Sequence, residues 1–288
     1  MRIGLIANQD AGDGTPEQRI IAAITRHGHV LRAVASPDEG LARLPLDGID
    51  MVVVAGGDGT VGAVAASMPD PRLPFAVLPT GTANNIATSL GVPDDVDIAI
   101  DQWAACDVRP FDIGVATGPW GERRFVESVG GGLVTHGIVV MDRQNYRSPT
   151  QDQQLERARH SHADLLAEFD PVTWRLELDG TAVDTGLLLL EVLNIASIGP
   201  NFAFADASPF DGTFTIAGAG QDHRSGLADW IRGGARGIAP GMLLWQAREI
   251  VITRCDRLHL DDEVTDVEGE TSITLRLDAG AVAALVPR

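Results

Sequence analysis

The apolar run Met51-Val52-Val53-Val54-Ala55 passes without a break into Gly56-Gly57-Asp58-Gly59-Thr60, and a helix is expected to begin at Val61. A continuous apolar run rich in β-branched residues marks a strand buried on both faces, which is the centre of a parallel sheet with helices on either side. Glycines at the end of such a strand, just before a helix, form the kind of junction where α/β sheets take up ligands. That one segment excludes an all-helical bundle.

The surrounding residues repeat the pattern. Ile3 to Ala7 predicts a first strand, and Thr15-Pro16-Glu17-Gln18 offers an N-cap and a helix start ahead of Ile20, Ile21 and Ile24 on one face, with Gly28 as the stop. A second strand is expected near Val30 to Val34, followed by Ser36-Pro37-Asp38-Glu39 as a second capping sequence and a short helix. Phe75 to Leu78 predicts a further buried strand, which runs into Pro79-Thr80-Gly81-Thr82 and a helix from about Ala83 to Leu90, closed by Gly91 and Pro93.

From about Asp107 the grammar changes to short strands separated by Gly/Pro/Asp turns. Strands are expected at Phe111 to Ala116, Arg124 to Val129, Trp174 to Leu178 with an Asp179-Gly180 hairpin, and Leu187 to Asn194, then near Ile250, Leu258 and Ile273. Helices are expected at Gln151 to Phe169 and Ser225 to Gly234. The fold class is therefore α/β plus all-β. A Rossmann-like α/β nucleotide-binding domain over residues 1–107 precedes a β-rich, sandwich-like domain over 108–288, whose last strand is free to return to the first. A cleft between the two is the expected place for an active site.

Charge narrows the chemistry. The formal net charge is −18, so no long-range attraction to nucleic acid or to an anionic bilayer is expected, and membrane contact is at most peripheral. All 22 basic residues are arginine, which excludes a lysine-bearing P-loop and leaves arginine, backbone N–H groups or a metal ion to meet phosphate. Cys106 and Cys255 are too few for a disulfide framework. The opening apolar run is too short for a signal peptide and no stretch reaches the roughly 18 apolar residues of a membrane span, so a cytoplasmic location is expected.

The glycines of Gly56-Gly57-Asp58-Gly59-Thr60 let the backbone approach a phosphate, and the helix behind them presents N–H groups and the positive end of its dipole. Asp58 suits a role as ligand to Mg²⁺ or to water, since a carboxylate facing phosphate needs a cation between them. Thr60 and Thr82 offer hydroxyls, and Asn84 a donor and an acceptor, to a nucleotide; a plain Gly-Asp-Gly turn and a simple N-cap at Thr82 are the structural alternatives.

The pairing of Gly56-Gly57-Asp58-Gly59-Thr60 with Pro79-Thr80-Gly81-Thr82-Ala83-Asn84-Asn85 resembles the diacylglycerol kinase catalytic-domain family, which includes bacterial lipid kinases and sphingosine kinases. Asn8, Asn194 and Asp211-Gly212 extend the resemblance along the chain. It implies an ATP-dependent lipid kinase with Mg²⁺ as cofactor. Gly56, Gly57, Asp58, Gly59, Thr60, Thr82 and Asn84 then hold ATP, with Ser36 at a position of nucleotide contact. It also implies a proton acceptor in an acidic turn, best matched by Glu263 of Asp261-Asp262-Glu263, with Glu270 of Glu268-Gly269-Glu270 as rival. A metal site around Asp211, with backbone oxygens near Ser208 and Thr213, is implied as well.

Gln9, Asn85 and Glu127 depart from the family pattern, as does Asp262 in the acidic turn. A catalytically weak nucleotide- or lipid-binding protein, and a kinase of a soluble hydroxylated metabolite, are therefore the alternatives. ATP and a lipid-like acceptor are the expected partners, nucleic acid is not, and a homodimer is compatible with the sequence.

Overall fold

The opening apolar residues form β1 (Arg2–Ala7), and the chain continues through α1 (Glu17–Arg26), β2 (Val30–Ala35), β3 (Met51–Gly56), α2 (Asp58–Ser67), β4 (Pro74–Pro79), α3 (Asn85–Leu90) and α4 (Val96–Gln102). The computed structural model describes residues 1–12, 15–144, 150–204, 207–267 and 271–288. Strands β1, β2, β3 and β4 pair in parallel, and the closing strand β18 (Ile273–Val286) joins β4 in parallel through Ala283 and Ala284. All six residues of β3 are buried, as a strand covered on both faces requires. One face carries Leu5, Val53, Ala55 and Leu78 against Ile20 and Ile24 of α1 and Ile100 of α4. Each large aliphatic side chain buried there stabilises the unit by about 1.5–3 kcal/mol.

The two expected capping sequences act differently from their sequence reading. Pro16 rather than Thr15 occupies the cap of α1, and no side-chain bond caps it. The Ser36 and Glu39 pair forms reciprocally, with Ser36 N donating to Glu39 Oε2 at 2.9 Å and Glu39 N to Ser36 Oγ at 3.4 Å. Beyond it the chain makes only two 3₁₀ turns, Gly40–Arg43 and Leu46–Gly48, and no α-helix. Gly40 with φ 54° and Pro45 between the turns both oppose an α-helix.

The chain divides into two compact units, Met1–Asp112 with Ala279–Arg288, and Ile113–Asp278. The second contains the latter half of β5 (Asp107–Gly118), then β6 (Gly121–Phe125), β7 (Ser128–Gly132), α5 (Leu133–Gln144), α6 (Gln151–Leu165), β8 (Val172–Leu178), β9 (Thr181–Leu187) and β10 (Leu189–Leu193). It continues with the short β11 (Ser197–Ile198) and β12 (Phe202–Ala203), then β13 (Phe214–Ala219), α7 (Arg224–Arg232), β14 (Leu243–Ala247), β15 (Glu249–Arg254), β16 (Arg257–Leu260) and β17 (Glu263–Asp266).

In this unit β15 pairs antiparallel with β18 and β8, and β8 with β9, while a six-stranded antiparallel sheet runs β14-β13-β10-β7-β16-β17. Trp174, Leu176, Ile250, Ile273 and Leu275 of the first set pack with Val129, Leu190, Val192, Phe214, Ile216 and Leu258 of the second, giving a sandwich with one apolar core. Cys255 is buried in that core, and Cys106 is half-buried in the first unit. Asp179 and Gly180, both with positive φ, make the expected hairpin turn.

Helix α4 and strands β13 and β14 form where the sequence pattern assigns no element, and three further elements depart from expectation. Residues 133–144, to which the sequence pattern assigns no element, form α5 against β7, although Val134, Thr135, Ile138 and Val139 are β-branched; packing on the sheet overrides propensity. The expected strand from Arg124 to Val129 is broken at Val126-Glu127 into β6 and β7. The helix expected to reach Phe169 ends at Leu165. Among the described residues no helix is long and apolar enough to cross a membrane.

Candidate active site

In the first unit, the chain leaves the sheet at the carboxyl ends of β1, β3 and β4, and the loops there contact one another directly. Only Gly57 separates β3 from α2, so Asp58, Gly59 and Thr60 form the first helical turn, three residues earlier than expected. The N–H groups of that turn have no acceptor within the helix. Glycine is required by contact: a Cβ on Gly81 would lie 2.3 Å from Gly57 Cα, and one on Gly56 would lie 2.8 Å from Thr60 Cβ. A Cβ on Gly12, after β1, would lie 2.2 Å from the Thr80 carbonyl oxygen.

Hydrogen bonds fasten the same loops. Asn8 Nδ2 donates to Thr60 Oγ1 at 2.9 Å, and Thr80 N donates to the Gly56 carbonyl at 3.2 Å. Asn84, in a left-handed conformation with φ 52°, accepts from Gly81 N at 2.8 Å and returns Nδ2 to the Gly81 carbonyl at 3.1 Å. Asp58 Oδ1 accepts the N–H of Ile86 at 2.9 Å, which places a carboxylate at the start of α3. Thr82 is half-buried. Ser36 is exposed at the end of β2, bonded to Glu39.

The residues expected from sequence, Gly56 to Thr60 with Thr82 and Asn84, are thus brought together, but Asp58 and Asn84 also build the loops, a part the sequence does not announce. Sequence reasoning passes over Thr80, 4% exposed, whose buried hydroxyl has no partner among the described residues. The only local signal for Thr80 is its place inside the glycine loop.

In the second unit the acidic turn is organised around Asp261. Its carboxylate accepts three successive backbone N–H groups: Val126 at 3.0 Å, Glu127 at 2.7 Å and Ser128 at 3.2 Å. The bend that aims them is held by Asn194, whose Nδ2 donates to the Val126 carbonyl at 2.8 Å and whose N donates to the Glu127 carbonyl at 2.9 Å. Burial outweighs those donors and pushes the Asp261 carboxyl up to about 6. Glu263, the expected proton acceptor, is the exposed first residue of β17 and pairs with Arg123. Glu268, Gly269 and Glu270 lie outside the described residues.

Behind this turn, Glu191, Gly130 and His259 share one row across β10, β7 and β16. Glu191 Oε2 lies 3.3 Å from His259 Nε2, with both side chains buried, and Thr135 Oγ1 of α5 lies 2.8 Å from His259 Nδ1. Their burial argues for a structural pair rather than for contact with a substrate.

The donors for a divalent ion are sparse. Among the described residues no three or more His, Cys, Asp or Glu side chains form a group able to hold a metal. Asp211 Oδ1 accepts from Thr213 N at 3.0 Å and Thr213 Oγ1 at 3.1 Å, an Asx turn that already employs that oxygen, and Ser208 is half-buried nearby in sequence. Mg²⁺ shared between nucleotide phosphates and a single carboxylate is compatible with them.

Residues 2–116 match the family described as the diacylglycerol kinase catalytic domain. The chain is 29% identical over 190 residues to "Diacylglycerol kinase" of Bacillus subtilis (strain 168), covering 64% of this chain and 58% of the relative. It is 29% identical over 165 residues to "Probable lipid kinase YegS-like" of Cronobacter sakazakii (strain ATCC BAA-894), covering 48% and 55%. These alignments span little more than half the length of the curated relatives. A crystal structure described as a diacylglycerol kinase of Bacillus anthracis str. Sterne superposes with a TM-score of 0.69 at 18% identity, covering 99% of this chain and 96% of that one, and shares the fold.

Proposed function

We propose that this chain, whose residues 2–116 resemble a diacylglycerol kinase catalytic domain, transfers the γ-phosphoryl group of ATP to a hydroxyl of a lipid acceptor. The observation that carries the reading is the contact of the Gly57 and Gly81 loops beside the first turn of α2, in a chain without lysine. Glycine there lets a triphosphate approach the backbone, and the helix start supplies N–H donors and a favourable dipole. Thr60, oriented by Asn8, and the hydroxyls of Thr80 and Thr82 add donors around the same loops.

Mg²⁺ arriving with the nucleotide would neutralise phosphate charge, and Asp58, in the first turn of α2 beside the loops, would hold it. The proton of the acceptor hydroxyl passes to the acidic turn. Asp261 is better suited than Glu263, because a carboxyl near 6 is matched to proton transfer close to neutral pH, whereas Glu263 is exposed and paired with Arg123. Catalysis on this reading is mostly positioning and charge stabilisation.

The test is incubation with γ-labelled ATP and Mg²⁺ against fractionated total lipids and, separately, polar metabolites of the source organism. Label in a lipid fraction supports the reading. Label only in a polar product assigns a soluble acceptor, and no transfer at all leaves a binding protein.

A further inference from the structure

We propose that His259 is a positioning residue for the proton acceptor: clamped behind β7 by Glu191 and Thr135, it fixes Ser128, one of the three backbone donors to the Asp261 carboxylate. The inference rests on the reading of Asp261 given above. His259 stands opposite Gly130 in the antiparallel pair of β16 and β7, and Asp261 N donates to the Ser128 carbonyl at 2.8 Å, so the ring and the carboxylate both meet Ser128. Ser128 Oγ lies 3.4 Å from His259 Nε2, and Ser128 N donates to Asp261 Oδ1 at 3.2 Å. Asp261 has φ 51°, a left-handed backbone that a residue with a side chain keeps only where its surroundings hold it.

Glu191 reaches the ring across β7. A Cβ on Gly130 would lie 2.2 Å from Glu191 Oε2, so glycine in the middle strand is what lets a carboxylate on β10 pass to a ring on β16. Both Glu191 oxygens are buried without a hydrogen bond among the described residues, and Oε2 comes to 3.3 Å from His259 Nε2. On the other side, Thr135 Oγ1 donates to the Gly130 carbonyl at 3.1 Å, which leaves its lone pairs to accept from His259 Nδ1 at 2.8 Å. With Nδ1 as the donor, Nε2 is turned toward Glu191 and Ser128. Apolar side chains usually fill a buried place at least as well as a titratable pair, so packing alone does not account for this one.

His259 is 1% exposed, so it acts through Ser128. A hydrogen bond donated to a carboxylate favours the ionised form, and the Ser128 bond is the longest of the three. Loosening Ser128 therefore moves the Asp261 carboxyl, already pushed up to about 6 by burial, further up. The other groups around it are accounted for. Asp262, next in the chain, adds a like charge that also raises Asp261, and Glu263 of β17 is paired with Arg123. Glu127 adjoins Ser128 and gives its own N–H to Asp261. Helix α5, which packs on β16 and β17, brings Thr135 to the ring, while His136 stacks near Phe169.

The experiment is a pH titration of the Asp261 carboxyl by carbon NMR in the full chain, with its resonance assigned by its loss in Asp261→Asn. Beside it, kcat is followed against pH with ATP, Mg²⁺ and diacylglycerol in mixed micelles. His259→Leu and Ser128→Ala are each expected to move the carboxyl midpoint up by roughly half to one pH unit, the effect of weakening one donor to a charged group. At pH 6 kcat should fall roughly two- to fivefold, with KM for ATP unchanged and little effect at pH 8. His259→Gln, whose amide reaches the Nε2 position, should return the midpoint to the wild-type value. If His259→Leu does not fold, Ser128→Ala and His259→Gln carry the test. A midpoint unmoved in the first two variants, or moved as far by His259→Gln, overturns the proposal, as does a kcat profile that stays in place while the carboxyl titration moves. Failure of wild type to phosphorylate the lipid at any pH counts against the kinase reading, and the carboxyl titration still decides whether His259 positions Asp261.

Discussion

The Asp58 carboxylate receives the backbone N–H of Ile86 at 2.9 Å, so the residue that opens α2 also holds the start of α3. A charge-assisted bond of this kind contributes about 1.5–3 kcal/mol. Asp58→Ala is therefore expected to lose roughly 2 kcal/mol in urea unfolding and to weaken ATP binding with it, whereas Asp58→Asn, which keeps an acceptor oxygen, should lose less. Loss of phosphoryl transfer in Asp58→Ala with unchanged stability would assign the carboxylate to ligand chemistry alone.

Gly81→Ala forces a Cβ to 2.3 Å from Gly57 Cα, a backbone atom with no rotamer to yield. The loops must part, and ATP affinity by calorimetry should fall at least about tenfold. Gly48→Ala, with open space around its Cβ position, is the matched control and should bind ATP as wild type does.

Glu191 and His259 meet over Gly130, where a Cβ would lie 2.2 Å from Glu191 Oε2. Leaving one of two adjacent buried polar side chains without the other costs about 1–3 kcal/mol, while removing both costs less than the sum. Glu191→Leu and His259→Leu are thus expected to be strongly destabilising singly and partly compensated together, by denaturant unfolding at pH 7. Additive losses would show that the two side chains do not act as a pair.

The loops of the first unit are largely legible in the sequence because a buried strand, a glycine run and a helix start are all local signals. Val52 to Val54 announce β3, and Gly56 and Gly57 its end. What Asp58 does is not legible, since its partner Ile86 is 28 positions away. The same holds for Asp261, whose three donors lie more than 130 positions upstream. Reading Glu263 as the site follows the motif, but local sequence does not reveal that the preceding Asp261 faces inward. Helix α5 escapes the sequence pattern because Gly137 and its β-branched neighbours carry the wrong local preference, and its covering of β7 is a tertiary fact.

Asp261 predicts a pH signature. Its folded carboxyl is raised to about 6 from an ordinary value of 3.8, so its contribution to stability is fully present below about pH 4 and is lost as pH rises through 6. The stability of wild type relative to Asp261→Asn should fall across that window by roughly 2–3 kcal/mol. If Asp261 is also the proton acceptor, kcat rises over the same window and falls roughly 10²-fold or more in Asp261→Asn, whereas Glu263→Gln changes stability little and keeps its turnover. The reverse pattern of turnover returns the role to Glu263.

The most direct measurement is transfer of labelled γ-phosphoryl from ATP, with Mg²⁺, to a diacylglycerol in mixed micelles, following the label and ADP together. The expected result is a lipid-extractable phosphorylated product formed one for one with ADP, and at least about tenfold less of it with Gly81→Ala. ADP formed with the label recovered only as inorganic phosphate or in a water-soluble product, or full transfer by Gly81→Ala, would contradict a lipid kinase built on the paired glycine loops.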